Sequence, residues 1–195
     1  MSGESDRTSR VRYVLKTAFR ATRSLPDRLL HRHRHRAIQR RLSSTRCPRK
    51  MLVVCHGNVC RSPYLQAVLQ RALPDVAVDS AGFMGSDRPV PPVSVALCAQ
   101  RGLDLSGYRS RPLTHASVAS ADLVIVMDSG QGRQIERLFP HNRAPVVVAG
   151  DLDPRFEACR AIPDPWSLSS DVFESSFNRL DRCAATLVTI LKRSS

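Results

Sequence analysis

The chain has 195 residues, 42% hydrophobic and 24% charged, which supports a packed core and argues against global disorder. Its net charge of +13 is concentrated in residues 1–50, which hold 15 Lys/Arg against three acids, while the other 145 residues hold 15 against 14; a nucleic-acid-binding protein is therefore not the reading of the molecule as a whole. No apolar run approaches the ~18 residues of a bilayer span, the charged N-terminus lacks a secretory signal's apolar stretch, and six cysteines without CxxC or zinc spacing read as reduced, cytoplasmic thiols.

The first fifty residues read as two basic helices. Val11, Val14, Leu15, Ala18 and Phe19 recur at helical spacing among arginines. Ser24-Leu25-Pro26-Asp27 has the signature of a helix start. Leu30, Ala37, Ile38 and Leu42 are expected to line one face of the helix that follows, in which His31 and His35 also share a face. Residues 43–49 read as a linker, so the chain divides into a basic extension, 1–49, and a main domain, 50–195. Three roles fit the extension: a solubilising or packed arm, peripheral attachment to an anionic membrane surface, and contact with nucleic-acid phosphates. Nucleic acid ranks below membrane, because Phe19 and the Val/Leu stripe would go unused on a duplex. A transit peptide is a minor alternative for so Arg-rich and acid-poor a segment.

From Lys50 strands alternate with helices. Apolar runs at 51–54, 76–78, 123–127 and 145–149 read as strands, and 63–72, 93–101 and 132–139 as helices. Phe173, Phe177, Leu180, Ala184, Leu187 and Leu191 mark a long C-terminal helix. This order implies an α/β fold, a parallel sheet covered on both faces, with ligands outside the carboxyl ends of the strands.

At the end of the first strand stands Cys55-His56-Gly57-Asn58-Val59-Cys60-Arg61-Ser62-Pro63. Gly57 permits a tight loop and Pro63 suits a first helical turn. Such a loop turns backbone N–H groups inward at a helix N-terminus and cradles an anion; a field of that sign favours a thiolate. Arg61 is placed to grip a phosphate bidentately. Asn58 and Ser62 are suited to bond the sulfur or hold the loop. Farther on, Ile162-Pro163-Asp164-Pro165-Trp166 holds a carboxylate between two prolines, apt to protonate a leaving oxygen and then activate water. Asp153-Pro154 reads as a turn or structural carboxylate.

Residues 51–191 resemble the low-molecular-weight protein tyrosine phosphatase family. The match runs through Val54 to Pro63, Asp79-Ser80-Ala81-Gly82, Asp104-Leu105-Ser106, Ala121 to Asp128 and Asp164-Pro165, in order and at similar spacing. The resemblance implies a four-stranded parallel sheet flanked by helices, a phosphocysteine intermediate and no metal or cofactor. It makes Cys55 the nucleophile, Arg61 the phosphate clamp and Asp164 the general acid, then base. His56, Gly57, Asn58, Val59, Cys60 and Ser62 would surround the phosphate, with Ser80 and Trp166 in support. It also makes Cys60 a redox partner that traps oxidised Cys55 as a disulfide. Cys98, Cys159 and Cys183 are treated as structural. The implied substrate is a phosphotyrosine protein, as bacterial relatives often act on tyrosine kinases.

The sequence departs from the family pattern at several points. His56 follows the nucleophile where an aliphatic residue or Thr is usual, and Tyr108 stands where a supporting histidine is common. Phe83 and Met84 are the candidate groove wall, and Trp166 replaces Tyr or Phe. Thiol-dependent arsenate reduction is the alternative on the same scaffold; a non-catalytic phosphotyrosine-binding module is a third reading, weakened by the presence of Cys55, Arg61 and Asp164.

Overall fold

In the computed structural model, which describes residues 29–157 and 159–193, the apolar run after Arg49 becomes the central strand. This is β1 (Lys50–Cys55), followed by α2 (Arg61–Ala72), β2 (Ala77–Gly82), α3 (Pro92–Gln100), α4 (His115–Ala119), β3 (Leu123–Val126), α5 (Ser129–Leu138), β4 (Val146–Val148), a 3-10 turn (Ala149–Asp151) and α6 (Ser170–Arg193). A helix at 29–43 precedes them and is called α1. Among the described residues four strands form one parallel sheet in the order β2-β1-β3-β4. The chain leaves β1 toward one side to form β2 and crosses to the other to form β3, so the carboxyl end of β1 lies at the switch point where such sheets bind ligands.

Alternation along β1 explains the two layers. Met51, Val53 and Cys55 face one apolar cluster with Tyr64, Leu65 and Leu69 of α2, Leu97 of α3 and the Phe173, Phe177, Leu180, Leu187 stripe of α6. Leu52 and Val54 face the other, with Val118 of α4, Ile135 of α5 and Phe139. Tyr64 stacks on Phe177 at 3.9 Å between ring centres and its hydroxyl donates to Asp181 at 2.7 Å, joining α2 to α6. Truncating Phe177, fully buried there, would cost about 3–5 kcal/mol.

Several elements differ from the sequence expectation. β2 runs on through Asp79 to Gly82 because all six of its residues pair in register with β1. β3 stops at Val126 and β4 at Val148, where Ala149 enters the 3-10 turn. The short α4 was not expected; its signal is a capping box in which Thr114 Oγ1 accepts from Ser117 N and Ser117 Oγ from Thr114 N, both at 3.1 Å. In α1, Ile38 and Leu42 are buried as expected, but Leu30 and Ala37 are exposed. The buried stripe instead takes in His31, which stacks against His35 and meets Phe156 edge-on. His35 Nδ1 donates to the Asp151 carbonyl at 2.9 Å, so α1 packs on the domain beyond edge strand β4. The helix expected around 11–19 and the start at Ser24 lie outside the described residues. Among the described residues no helix is long and apolar enough to cross a membrane.

Candidate active site

The loop from Cys55 to Arg61 turns sharply because Asn58 adopts a left-handed conformation, φ 51°, which asparagine tolerates better than most residues. A dense set of bonds holds it there. Asn58 Nδ2 donates to Ser62 Oγ at 2.8 Å and to Ser80 Oγ at 2.9 Å. Its Oδ1 accepts from Tyr108 Oη at 2.8 Å and from Arg111 N at 2.7 Å. Tyr108 also bonds Ser80, which donates to Gln66, so Tyr108 supplies the support ascribed to a histidine in the family pattern. Gly82 permits this packing, since a Cβ there would lie 2.8 Å from Asn58 N.

Cys55 Sγ, buried at the end of β1, accepts from Asn58 N at 3.2 Å and Ser62 Oγ at 3.0 Å. Two hydrogen bonds thus converge on this one sulfur. The Asn58 and Ser62 side chains are buried within the loop. Cys55, His56, Gly57, Val59, Cys60 and Arg61 line a cleft of about 250 Å³, closed opposite by Met84, Arg88, Asp164 and Trp166. Burial, with the neighbouring Cys55 and Asp164, pushes the Cys60 thiol up to about 12, so it stays protonated near neutrality.

Arg61 is buried at the start of α2. It donates Nη1 to the Ile162 carbonyl at 3.0 Å and pairs through Nη2 with Asp164 Oδ2. Its Nε is buried without a partner. The Asp164 loop reaches this position because Ile162 N bonds the Met127 carbonyl at the end of β3, at 2.9 Å, and Ser176 of α6 donates to the Pro163 carbonyl at 3.0 Å. The second Asp-Pro is placed quite differently: Asp153 is fully buried between Arg179 and Arg182, the structural carboxylate of the sequence reading.

Most of the expected site residues are therefore brought together: Cys55, His56, Gly57, Val59, Cys60, Arg61, Asp164 and Trp166 at the cleft, with Asn58, Ser62 and Ser80 behind it. Phe83 is the exception, since it packs against the second apolar cluster and leaves Met84 on the wall. Arg88 takes the vacant side, and its Nη2 donates to the Gly57 carbonyl at 2.7 Å. No periodicity or motif marks Arg88, Gln66 or Ser110, which become visible only through their long-range partners.

Comparison with known proteins places this geometry among relatives. The sequence profile described as low molecular weight phosphotyrosine protein phosphatase matches residues 50–195. The chain is 38% identical over 133 residues to the probable low molecular weight protein-tyrosine-phosphatase EpsP of Ralstonia nicotianae, spanning 68% of this chain and 88% of that one. It is 33% identical over 144 residues to the low molecular weight protein-tyrosine-phosphatase Etp of Escherichia coli, spanning 73% and 95%. Among solved structures, Vibrio vulnificus Wzb in complex with benzylphosphonate matches with a TM-score of 0.65 at 28% identity, covering 72% of this chain and 97% of that one.

Proposed function

The chain belongs to the low molecular weight phosphotyrosine protein phosphatase family, and on that premise we propose that it hydrolyses phosphotyrosine in proteins through a phosphocysteine at Cys55. The observation that carries the reading is the pair of hydrogen bonds donated to Cys55 Sγ at the floor of the cleft whose rim holds Arg61 and Asp164.

Substrate phosphate enters the loop of backbone N–H groups at the N-terminus of α2 and takes the Arg61 guanidinium from Asp164. The phenyl ring lies between Met84 and Trp166. Cys55 Sγ attacks phosphorus and the bond to the tyrosyl oxygen breaks, its electron pair taking the proton of Asp164. Asp164, now a carboxylate, removes a proton from water, which displaces the cysteine sulfur and frees phosphate. In the same reading peroxide oxidises Cys55 to a sulfenic acid, and the Cys60 sulfur displaces water from it to form a disulfide that a dithiol reduces. Arsenate reduction would need a further pair of relay thiols beyond Cys60, and Cys98 and Cys183 are shut in the core.

We take residues 50–195 as the catalytic unit and residues 1–49 as a separate basic extension. We place the protein in the cytoplasm with the extension toward an anionic membrane surface. The support is that α1 turns Ile38 and Leu42 inward and leaves Arg32, Arg36 and Arg40 exposed. Since the relatives named above are bacterial, a bacterial tyrosine kinase is the first substrate to test.

Hydrolysis of an aryl phosphate tests the chemistry: wild type is active and Cys55→Ser is not, whereas activity surviving that change would sink the mechanism. Full-length protein with Arg32, Arg36 and Arg40 changed to Gln should sediment less with anionic vesicles than wild type, and equal sedimentation would remove the membrane role.

A further inference from the structure

Resting on the phosphatase reading, we propose that Arg88 is a second anion subsite at the rim of the cleft and selects phosphotyrosines flanked by acidic side chains. Arg88 belongs to the loop between β2 and α3, but its backbone is held firmly. Asp87, at φ 59°, donates its N–H to the Ser110 carbonyl at 2.8 Å. Arg88 N donates to Ser110 Oγ at 2.9 Å, and Ser110 N returns a bond to the Arg88 carbonyl at 2.9 Å.

The side chain is gripped at two further points. Nη2 donates to the Gly57 carbonyl at 2.7 Å, and the guanidinium carbon lies 5.8 Å from the centre of the Trp166 ring. Gly57 is required for this approach, since a Cβ there would come within 2.5 Å of the Arg88 nitrogen. The cation is therefore positioned in advance, with little side-chain freedom left to lose on binding.

Its partners show which part of a substrate it meets. The phosphate cradle is built from the N–H groups of the loop, whereas Arg88 binds the Gly57 carbonyl of that loop and lines the cleft beside Trp166. Arg61 serves the cradle. Arg88, between Gly57 and the aromatic wall, faces the polypeptide that carries the phosphotyrosine.

It also lacks a neutralising partner. Among the described residues no carboxylate pairs with Arg88: Asp164 is engaged by Arg61 and the adjacent Asp87 approaches Arg109. A guanidinium with no counter-ion suits a carboxylate, which it meets through its terminal nitrogens rather than the enclosed Nε.

Three substrates test the subsite: a phosphotyrosine peptide with Asp on both sides, its Asn counterpart, and p-nitrophenyl phosphate, which has no flanks. Wild type should favour the Asp peptide in kcat/KM by about fivefold, through KM, with the preference fading as salt rises. Arg88→Met should erase the ratio between the peptides. Arg88→Glu should invert selectivity toward a Lys-flanked peptide, a reversal that a merely damaged loop would not produce. If wild type hydrolyses p-nitrophenyl phosphate but treats the Asp and Asn peptides alike, the subsite is refuted and the phosphatase reading stands. If Arg88→Met keeps the Asp preference, another cation reads the flank and the assignment is wrong. If p-nitrophenyl phosphate is not hydrolysed, the phosphatase reading fails and takes the subsite with it.

Discussion

Asp153-Pro154 and Asp164-Pro165 each present an aspartate to arginine, yet Asp153 is wholly buried whereas 44% of the Asp164 side chain is exposed. Asp153 accepts from Arg179 Nε at 3.1 Å, from Arg182 at 3.0 and 2.9 Å, and from Arg155 N at 3.1 Å. Burial alone would raise its carboxyl; the hydrogen bonds from Arg182 and Arg155 and the two guanidinium charges outweigh that and hold it below the usual carboxylate range. Arg179 in turn donates to the carbonyls of Ala161 and Cys159, so the cluster fastens the loop after β4 to α6. Among the described residues Asp164 pairs with Arg61 and accepts from Trp166 N, and it borders the cleft, where Arg61 keeps an unused Nε. An arginine–aspartate pair becomes structural when every donor and acceptor is satisfied away from solvent. It is available for chemistry when the pair borders an opening and a ligand can replace one member.

Substitution at the two aspartates should have opposite consequences. Asp164→Asn should lower kcat on an aryl phosphate by ~10²–10⁴ while urea unfolding shifts by no more than about 1 kcal/mol. Asp153→Asn should do the reverse, costing ~3–5 kcal/mol because buried Arg179 loses its counter-charge while Arg182 keeps Glu157, with activity per folded molecule near wild type. Equal stability of Asp153→Asn and wild type would dissolve the distinction. Two buried thiols sharpen it further. After peroxide and then dithiol, Cys60→Ser should fail to regain the activity that wild type recovers, whereas Cys183→Ala, changed in the core, should recover fully.

Smaller effects are expected from the supporting groups. Tyr108→Phe removes the hydroxyl bonded to Asn58 and Ser80 and should cost about 1 kcal/mol of stability, accompanied by a lower kcat as the loop loosens. At the other pole, burial first and His35 second hold His31 below its ordinary 6.5, with Arg179 adding to this and Asp153 and Asp151 opposing it. Above pH 6.5 folded and unfolded chains both carry His31 neutral. Below it the unfolded chain binds a proton that the folded one resists, so stability falls as pH drops from 6.5 through the lower folded value. Melting temperatures between pH 8 and 5 should decline more steeply for wild type than for His31→Phe; parallel curves would show that His31 does not titrate this way.

Local chemistry was legible in the sequence. A strand meeting a glycine-containing loop and a helix start determines the turn between Cys55 and Ser62, because its parts act within a few residues of one another. Strand and helix order, and the α6 stripe from Phe173 to Leu191, follow equally from local periodicity. Tertiary structure decided which of two similar Asp-Pro dipeptides meets Arg61, since that depends on bonds to Met127 and Ser176. It decided that His31 rather than Leu30 faces the core in α1, since the partner surface selects the buried face. It also brought Tyr108 and Arg88 to the loop, through contacts with Asn58 and Gly57 that span 50 and 31 residues of chain. A polar side chain in a loop has no periodic signal of its own, and its role comes from the donors and acceptors that packing sets around it.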